Sequence, residues 1–311
     1  MIESLSRALF HRLAGSTTLK TLASRYGMRP RGFARRFIAG ETLSDAITTA
    51  TRLTDSGRRC TLNYLGESVT SLEAAREAAA AYEAIMRGVH DAGLSCQISV
   101  KLTQLGLVLN APRCEENLRR VLDAAGDEYF VRIDMEQSGW VDPTLDIFER
   151  AWRDGYRNVG VVLQSYLHRA AADLTRLNDL PARIRLCKGA YREAAVVAYP
   201  AKADVDGSFL RLMRTLVETG SYPAFATHDP RMIAAVKTYA DQRGLSADAF
   251  EFEMLFGVRR DLQTALLAEG YRVRVYLPFG HQWFQYFMRR LGERPANVLF
   301  VLRSLLHERR G

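Results

Sequence analysis

Eight short apolar or β-branched runs recur between residues 62 and 277, and segments of helical spacing separate them. The runs are Leu62–Leu65, Gln97–Leu102, Tyr129–Met135, Asn158–Gln164, Arg183–Lys188, Tyr222–Thr227, Phe250–Leu255 and Tyr271–Leu277. Helices are expected over Ser71–Val89, with Ser71 at the cap, and over Glu115–Ala125, Thr144–Arg153, Asp204–Glu218, Pro230–Gln242 and Arg260–Glu269. Strands joined by crossovers of this length pair in parallel. Eight is also the number that closes a (β/α)8 barrel. The fold expected is therefore α/β, a TIM-type barrel over residues 55–311, preceded by a helical N-terminal cap of about three helices at residues 1–54.

Strand parity adds detail. YRVRVY at 271–276 places Arg272, Arg274 and Tyr276 on one face and Val273 and Val275 on the other. Valines suit the helix layer, which turns the arginines inward. FEFEML at 250–255 likewise separates Glu251 and Glu253 from Phe250, Phe252 and Met254. Inward rows of Glu and Arg on adjacent strands are expected to pair, which offsets the cost of burying them. The alternative is an open sheet with these charges outward, but open parallel sheets are covered on both faces.

Composition excludes other classes. Of 311 residues, 48% are hydrophobic and 25% charged, so the chain is not disordered. The net charge of +8 suits nucleic acid, an anionic membrane or an anionic ligand. Basic residues are interspersed with acidic ones and no nucleic-acid motif is present, which argues against the first. No apolar run is long enough for a membrane span, and the N-terminus lacks a secretory apolar region. Cys60, Cys96, Cys114 and Cys187 stand far apart without CxxC, as reduced thiols of a cytoplasmic protein do. The six histidines are scattered, so no metal centre is expected.

A barrel of this kind carries its site at the C-terminal strand ends. Those ends supply Glu67, Lys101, Asp134, Gln164, Arg185 with Lys188, Thr227 with His228, Glu253, and Tyr276. Any one of these could be a helix cap or a rim ion pair, but a complete ring marks a functional cleft. After Tyr276 a Pro-Phe-Gly turn leads into a helix bearing Tyr286, Arg289, Arg290 and Glu293. Paired arginines beside a barrel mouth suit a carboxylate or phosphate; a solvated basic face is the other reading. Adjacent arginines point about 100° apart, so both reach one ligand only if it lies across the helix.

These residues carry a family resemblance. LNYLGE (62–67), SVKLTQLGL (99–107), RIDME (132–136), VLQSYL (162–167), RLCKGAY (185–191), FATHDP (225–230), FEFEMLFGVRRDLQ (250–263) and YLPFG…YFMRRLGERPAN (276–297) occur in order. The chain resembles the bacterial monofunctional proline dehydrogenases over about three quarters of its length, and RLCKGAY with YFMRRL is the specific pair. The resemblance implies a distorted (β/α)8 barrel that binds FAD. It implies oxidation of L-proline to Δ1-pyrroline-5-carboxylate, with hydride passing to the flavin and electrons to a membrane quinone. Arg289, Arg290 and Lys101 are then expected to hold the substrate carboxylate. Asp134 and Tyr276 would line the proline site, with Tyr286 and Leu186 shaping it. Arg185 would stand near flavin N5, and Met135, Gln164, Lys188, Gly189, Ala190, Thr227 and His228 would contact the flavin. Small Gly189 and Ala190 would let the backbone approach the cofactor. Tyr276 is expected to crowd a ring hydroxyl, favouring proline over hydroxyproline.

The chain departs from the family pattern in places. Asn63 stands where Asp is usual, Phe256 and Phe279 where Tyr is common, Glu253 for Gln, Cys187 for Val, and His281-Gln282 for a more acidic pair. None is expected to touch the set of Lys101 and the paired arginines, though a proline analogue or another cyclic amino acid stays open as substrate. Residues 297–310 combine an apolar run with a basic end. A terminal helix docked on the barrel is the favoured reading. Peripheral attachment to an anionic leaflet is the other, and Leu5, Leu9, Phe10 and Leu13 pose the same choice.

Overall fold

The structure, a computed structural model, describes residues 33–66 and 69–293, the last five by backbone alone. Eight strands close into one barrel in sequential order: β1 (Arg59–Tyr64), β2 (Gln97–Val100), β3 (Val131–Ile133), β4 (Val159–Gln164), β5 (Arg183–Cys187), β6 (Ala224–Ala226), β7 (Glu251–Leu255) and β8 (Arg272–Phe279). Every pair is parallel, and the seam between β1 and β8 runs in register from Arg59↔Arg274 to Tyr64↔Phe279.

The described helices are α1 (Leu43–Asp55), α2 (Leu72–Asp91), α3 (Ala111–Ala125), α4 (Val141–Arg153), α5 (Ala170–Leu177), α6 (Lys202–Thr219), α7 (Pro230–Gln242), α8 (Arg260–Ala268) and α9 (Trp283–Glu293). Their starts follow local chemistry. Thr42 and Asp45 form a reciprocal capping box on α1. Ser71, Asn110 and Asp229 cap α2, α3 and α7 with side-chain oxygens. Helix α5 was not expected from the sequence. Of the N-terminal cap, residues 1–32 lie outside the described residues; the rest is a 3-10 turn at Phe33–Arg36 and α1.

The distortion lies at the seam. Helix α1 precedes the first strand yet packs against both β1 and β8, with Ala46 and Ala50 buried and the Cys60 thiol 3.8 Å from the Ala50 carbonyl. Helix α9 instead sets Trp283, Phe284, Tyr286, Phe287 and Met288 against Ala34, Phe37, Ile38 and Leu65 in a second apolar cluster. Leu65 directly follows β1, so α9 lies beside the C-terminal face of the barrel.

Most barrels of this type fill their interior with branched apolar side chains. Here the inward positions carry Arg132, Arg185, Arg274, Glu251 and Glu253, all buried. Gly160, facing Arg132 on the neighbouring strand, leaves the space that the guanidinium fills. Arg274 forks onto Glu251 (Nε–Oε1 2.8 Å, Nη2–Oε2 3.0 Å) and donates to the Cys60 carbonyl at 2.8 Å, as the parity of β7 and β8 anticipates. Arg272 departs from that expectation. It stands at the N-terminal rim, about a third exposed, and pairs with Asp248 at 3.1 Å, because a strand's first residue lies at the barrel's edge. Among the described residues, no helix is long and apolar enough to cross a membrane.

Candidate active site

Asp134 follows β3 directly, and four donors converge on its carboxylate. Arg185 Nη1 and Ser99 Oγ donate to Oδ1 at 2.8 and 2.9 Å. Tyr276 OH and Lys101 Nζ donate to Oδ2 at 2.6 and 3.3 Å. Burial alone would raise the Asp134 pKa, but Lys101, Arg185 and the two hydroxyls more than reverse it and hold the carboxyl below its ordinary value. Burial and the adjacent Asp134 push the Tyr276 phenol well above its usual range, so it stays a donor. Strands β3, β5 and β8 thus each send one polar group, and β2 sends two, Ser99 and Lys101, into a single network at the C-terminal mouth.

Two departures from the family pattern enter this network, contrary to expectation. Asn63 Oδ1 lies 3.5 Å from Lys101 Nζ. Glu253 Oε2 lies 2.6 Å from Arg185 Nε, one layer deeper in the barrel. That pair is close but poorly aligned, so the Nε–H makes no proper hydrogen bond. Cys187, the third departure nearby, has its thiol pushed up to about 12 by burial and remains neutral.

The residues expected at the flavin form a second group. Gln164 is buried, with Nε2 donating to the Met135 carbonyl at 3.4 Å. Lys188 binds Asp206 and Asp229 at 2.6 and 2.9 Å, tying β5 to the starts of α6 and α7. Thr227 accepts from the Asp229 amide, and His228 Nε2 accepts the Leu255 amide at 2.9 Å, which leaves the proton on Nδ1. Ala190 is exposed. Gly189 is also constrained by packing. With φ at +103°, its bare Cα faces the Tyr166 ring, which a Cβ would overlap. A Gly189→Ala change is expected to cost about 1–3 kcal/mol of backbone strain, with a comparable sum for displacing the ring. Thermal unfolding of the variant measures it, and an unchanged midpoint would refute the packing role.

Leu186 and Tyr286 take no part in the Asp134 network. Leu186 alternates with Arg185 and sits in register with Leu163 and Phe225, fully buried on the helix-facing side of β5. Parity rules it out of the interior. Tyr286 is packed in the apolar cluster under α9. The backbone of α9 carries Arg289 and Arg290, but their side chains lie outside the described residues, as do Glu67 and residues 297–310. Sequence reasoning passed over Ser99 as a site residue; it lies two residues before Lys101 on the same strand face, so parity could have found it.

Whether a flavin suits this mouth can be judged from its unmet polar atoms. Gln164 Oε1 and Arg185 Nη2, on adjacent strands, are buried with no hydrogen-bond partner among the described residues. A planar heterocycle with polar edges would satisfy both, so these residues fit the cofactor.

Barrel and network together define a (β/α)8-barrel protein whose site is built from strand ends. The sequence pattern of the proline dehydrogenase family matches residues 46–303. Proline dehydrogenase 1 of Bacillus subtilis (strain 168) is 40% identical over 301 residues, which cover 96% of this chain and 99% of that protein. Proline dehydrogenase of Deinococcus radiodurans is 41% identical over 312 residues, covering 98% and 99%. Proline utilization A (PutA) from Bdellovibrio bacteriovorus, in a crystal structure of the protein inactivated by N-propargylglycine, superposes with a TM-score of 0.79 at 27% identity. That match covers 83% of this chain and 32% of the longer PutA chain. The chain belongs to the proline dehydrogenase family.

Proposed function

We propose that the protein oxidises L-proline to Δ1-pyrroline-5-carboxylate, with FAD as hydride acceptor and a quinone taking the electrons onward. The observation that carries this reading is the network of Lys101, Arg185 and Tyr276 on Asp134 at the mouth of a barrel of this family. Lys101, with Arg289 and Arg290 delivered by α9, holds the substrate carboxylate and fixes the ring before reaction. Tyr276, anchored by its hydroxyl, forms a wall of the ring pocket. Asp134 keeps Lys101 and Arg185 in place and apart. When bound at the strand ends, FAD supplies the hydride acceptor that no side chain provides. Gln164, Met135, Lys188, Thr227 and His228 would hold it, and Arg185 would place positive charge beside its ring.

Purified protein is expected to show oxidised-flavin absorbance that bleaches with L-proline, and more slowly with hydroxyproline because Tyr276 crowds the ring. A colourless preparation that FAD cannot reconstitute would overturn the reading. Yellow protein left unbleached by proline would retain the cofactor and reject the substrate.

A further inference from the structure

Arg185 stands between two carboxylates. Asp134 takes Nη1 at 2.8 Å on the side of the mouth, and Glu253 lies 2.6 Å from Nε on the side of the barrel floor. Glu253 is 3% exposed, and its second oxygen, Oε1, has no partner among the described residues. A buried carboxylate with one oxygen unsatisfied is costly in its charged form. With Lys101, Arg185, Asp134 and Glu253 all ionised, the network sums to zero; with Glu253 neutral it carries one positive charge.

We propose that Glu253 is the proton-linked counter-charge of the mouth: ionised, it cancels part of the Arg185 charge, and protonated, it leaves the network one charge more positive towards a carboxylate held at Lys101. The proposal rests on the carboxylate-binding reading given above. Glu253 acts only through Arg185 and is therefore a positioning residue. The groups facing it are Arg185 and the neutral Cys187 thiol on β5, Arg132 on β3, Arg274 on β8 and Glu251 on its own strand. Asp134 and the Tyr276 ring, whose centroid is 5.5 Å from the guanidinium carbon, bear on it through Arg185. Arg274 is already committed to Glu251, and Arg132 donates to the Val161 and Arg183 carbonyls. Burial raises the Glu253 pKa more than Arg185 lowers it, with Glu251 adding to the rise.

Linkage fixes the direction of the effect. An anion at the mouth favours the protonated form of Glu253, so its binding draws one proton from solvent and strengthens as pH falls through the Glu253 titration. The probe is cyclopentanecarboxylate, a ring carboxylate with no nitrogen to oxidise. Its dissociation constant is measured by calorimetry on the purified protein, the E253Q variant and the E253D variant. The window runs from about pH 6, above the probe's own titration, to about pH 9.

E253Q is expected to bind the probe about tenfold more tightly than wild type at the alkaline end, within the range usual for linked sites. The gap should close as pH falls, because wild type gains affinity while E253Q stays flat. E253D, which keeps a carboxyl, should retain the pH dependence. Equal affinities of E253Q and wild type at every pH, or parallel pH dependences, would overturn the proposal and leave the functional reading standing. Absence of probe binding by wild type and both variants would overturn the two together.

Discussion

Exchanging Asp134 for asparagine is expected to lower kcat/KM by at least about a hundredfold, equivalent to roughly 3 kcal/mol. Four donors end on this one carboxylate, and two of them are cations with little solvent to turn to. An asparagine has the same shape, but its amide nitrogen must face donors where an acceptor is required. Breaking a buried ion pair by removing one member costs about 3–5 kcal/mol, because the remaining charge keeps its burial and loses its partner. Arg185 retains Glu253, so the loss falls mainly on Lys101 and Tyr276, the groups assigned to substrate. Asp134 is also a poor candidate for the base that takes the amine proton. Its oxygens already accept four hydrogen bonds, and its pKa is held low. The variant should therefore show a raised KM as well as a lowered kcat. Steady-state kinetics together with thermal unfolding checks this; a kcat/KM within threefold of wild type would remove Asp134 from the site.

Much of this was legible in the sequence because period and parity are local properties. Every strand overlaps an expected run, since a strand buried on both faces reads as a short apolar segment between turns, though β1 starts at Arg59, ahead of its run, and β8 continues past its run to Phe279. The alternation in β7 and β8 correctly put Glu251 and Arg274 together. What escaped depends on three-dimensional neighbours. Helix α5 has only eight residues, and its buried Asp173 is made tolerable by Arg169 four positions earlier, at 2.9 Å. A carboxylate on the inner face breaks the apolar stripe that marks a helix. Leu186 is assigned from the family motif RLCKGAY; the structure buries it on the strand face opposite Arg185, since strand neighbours alternate. At Gly189 spacing could not show a packing constraint: the Tyr166 ring, twenty-three residues earlier, occupies the place of a side chain there. Glu253 was legible as an inward strand-end group, but that it meets Arg185 rather than an arginine of β8 depends on the barrel bringing β5 and β7 side chains together across its interior, and the reach of Asn63 to Lys101 depends on the β1–β2 register.

Glu251 separates the stability of this interior from its chemistry. Its carboxylate is fully buried, accepts both prongs of the Arg274 fork and takes the Tyr222 hydroxyl at 3.2 Å. Glu251→Ala leaves the Arg274 guanidinium buried with one carbonyl partner, which is expected to cost about 3–5 kcal/mol. At roughly 2–4 °C per kcal/mol, the figure for domains of about 150–250 residues and an upper bound for this larger barrel, the unfolding midpoint should fall by up to about 10 °C. Burial pushes the Glu251 pKa up, but Arg274 pulls it down further, and the folded value lies below the ordinary one. Its contribution is therefore complete above the unfolded carboxyl's value of about 4.3 and is lost as pH falls through the folded value. The difference between wild type and Glu251→Ala should accordingly be constant near neutrality and shrink in acid. Because this pair sits at the N-terminal end of the barrel, kcat and KM measured well below the midpoint should stay near wild type. Replacing both members, Glu251→Leu with Arg274→Met, should recover much of the loss, since an apolar pair of similar volume removes both desolvation penalties. A double variant as unstable as Glu251→Ala would show that the fork itself, rather than the orphaned charge, holds this end of the barrel closed.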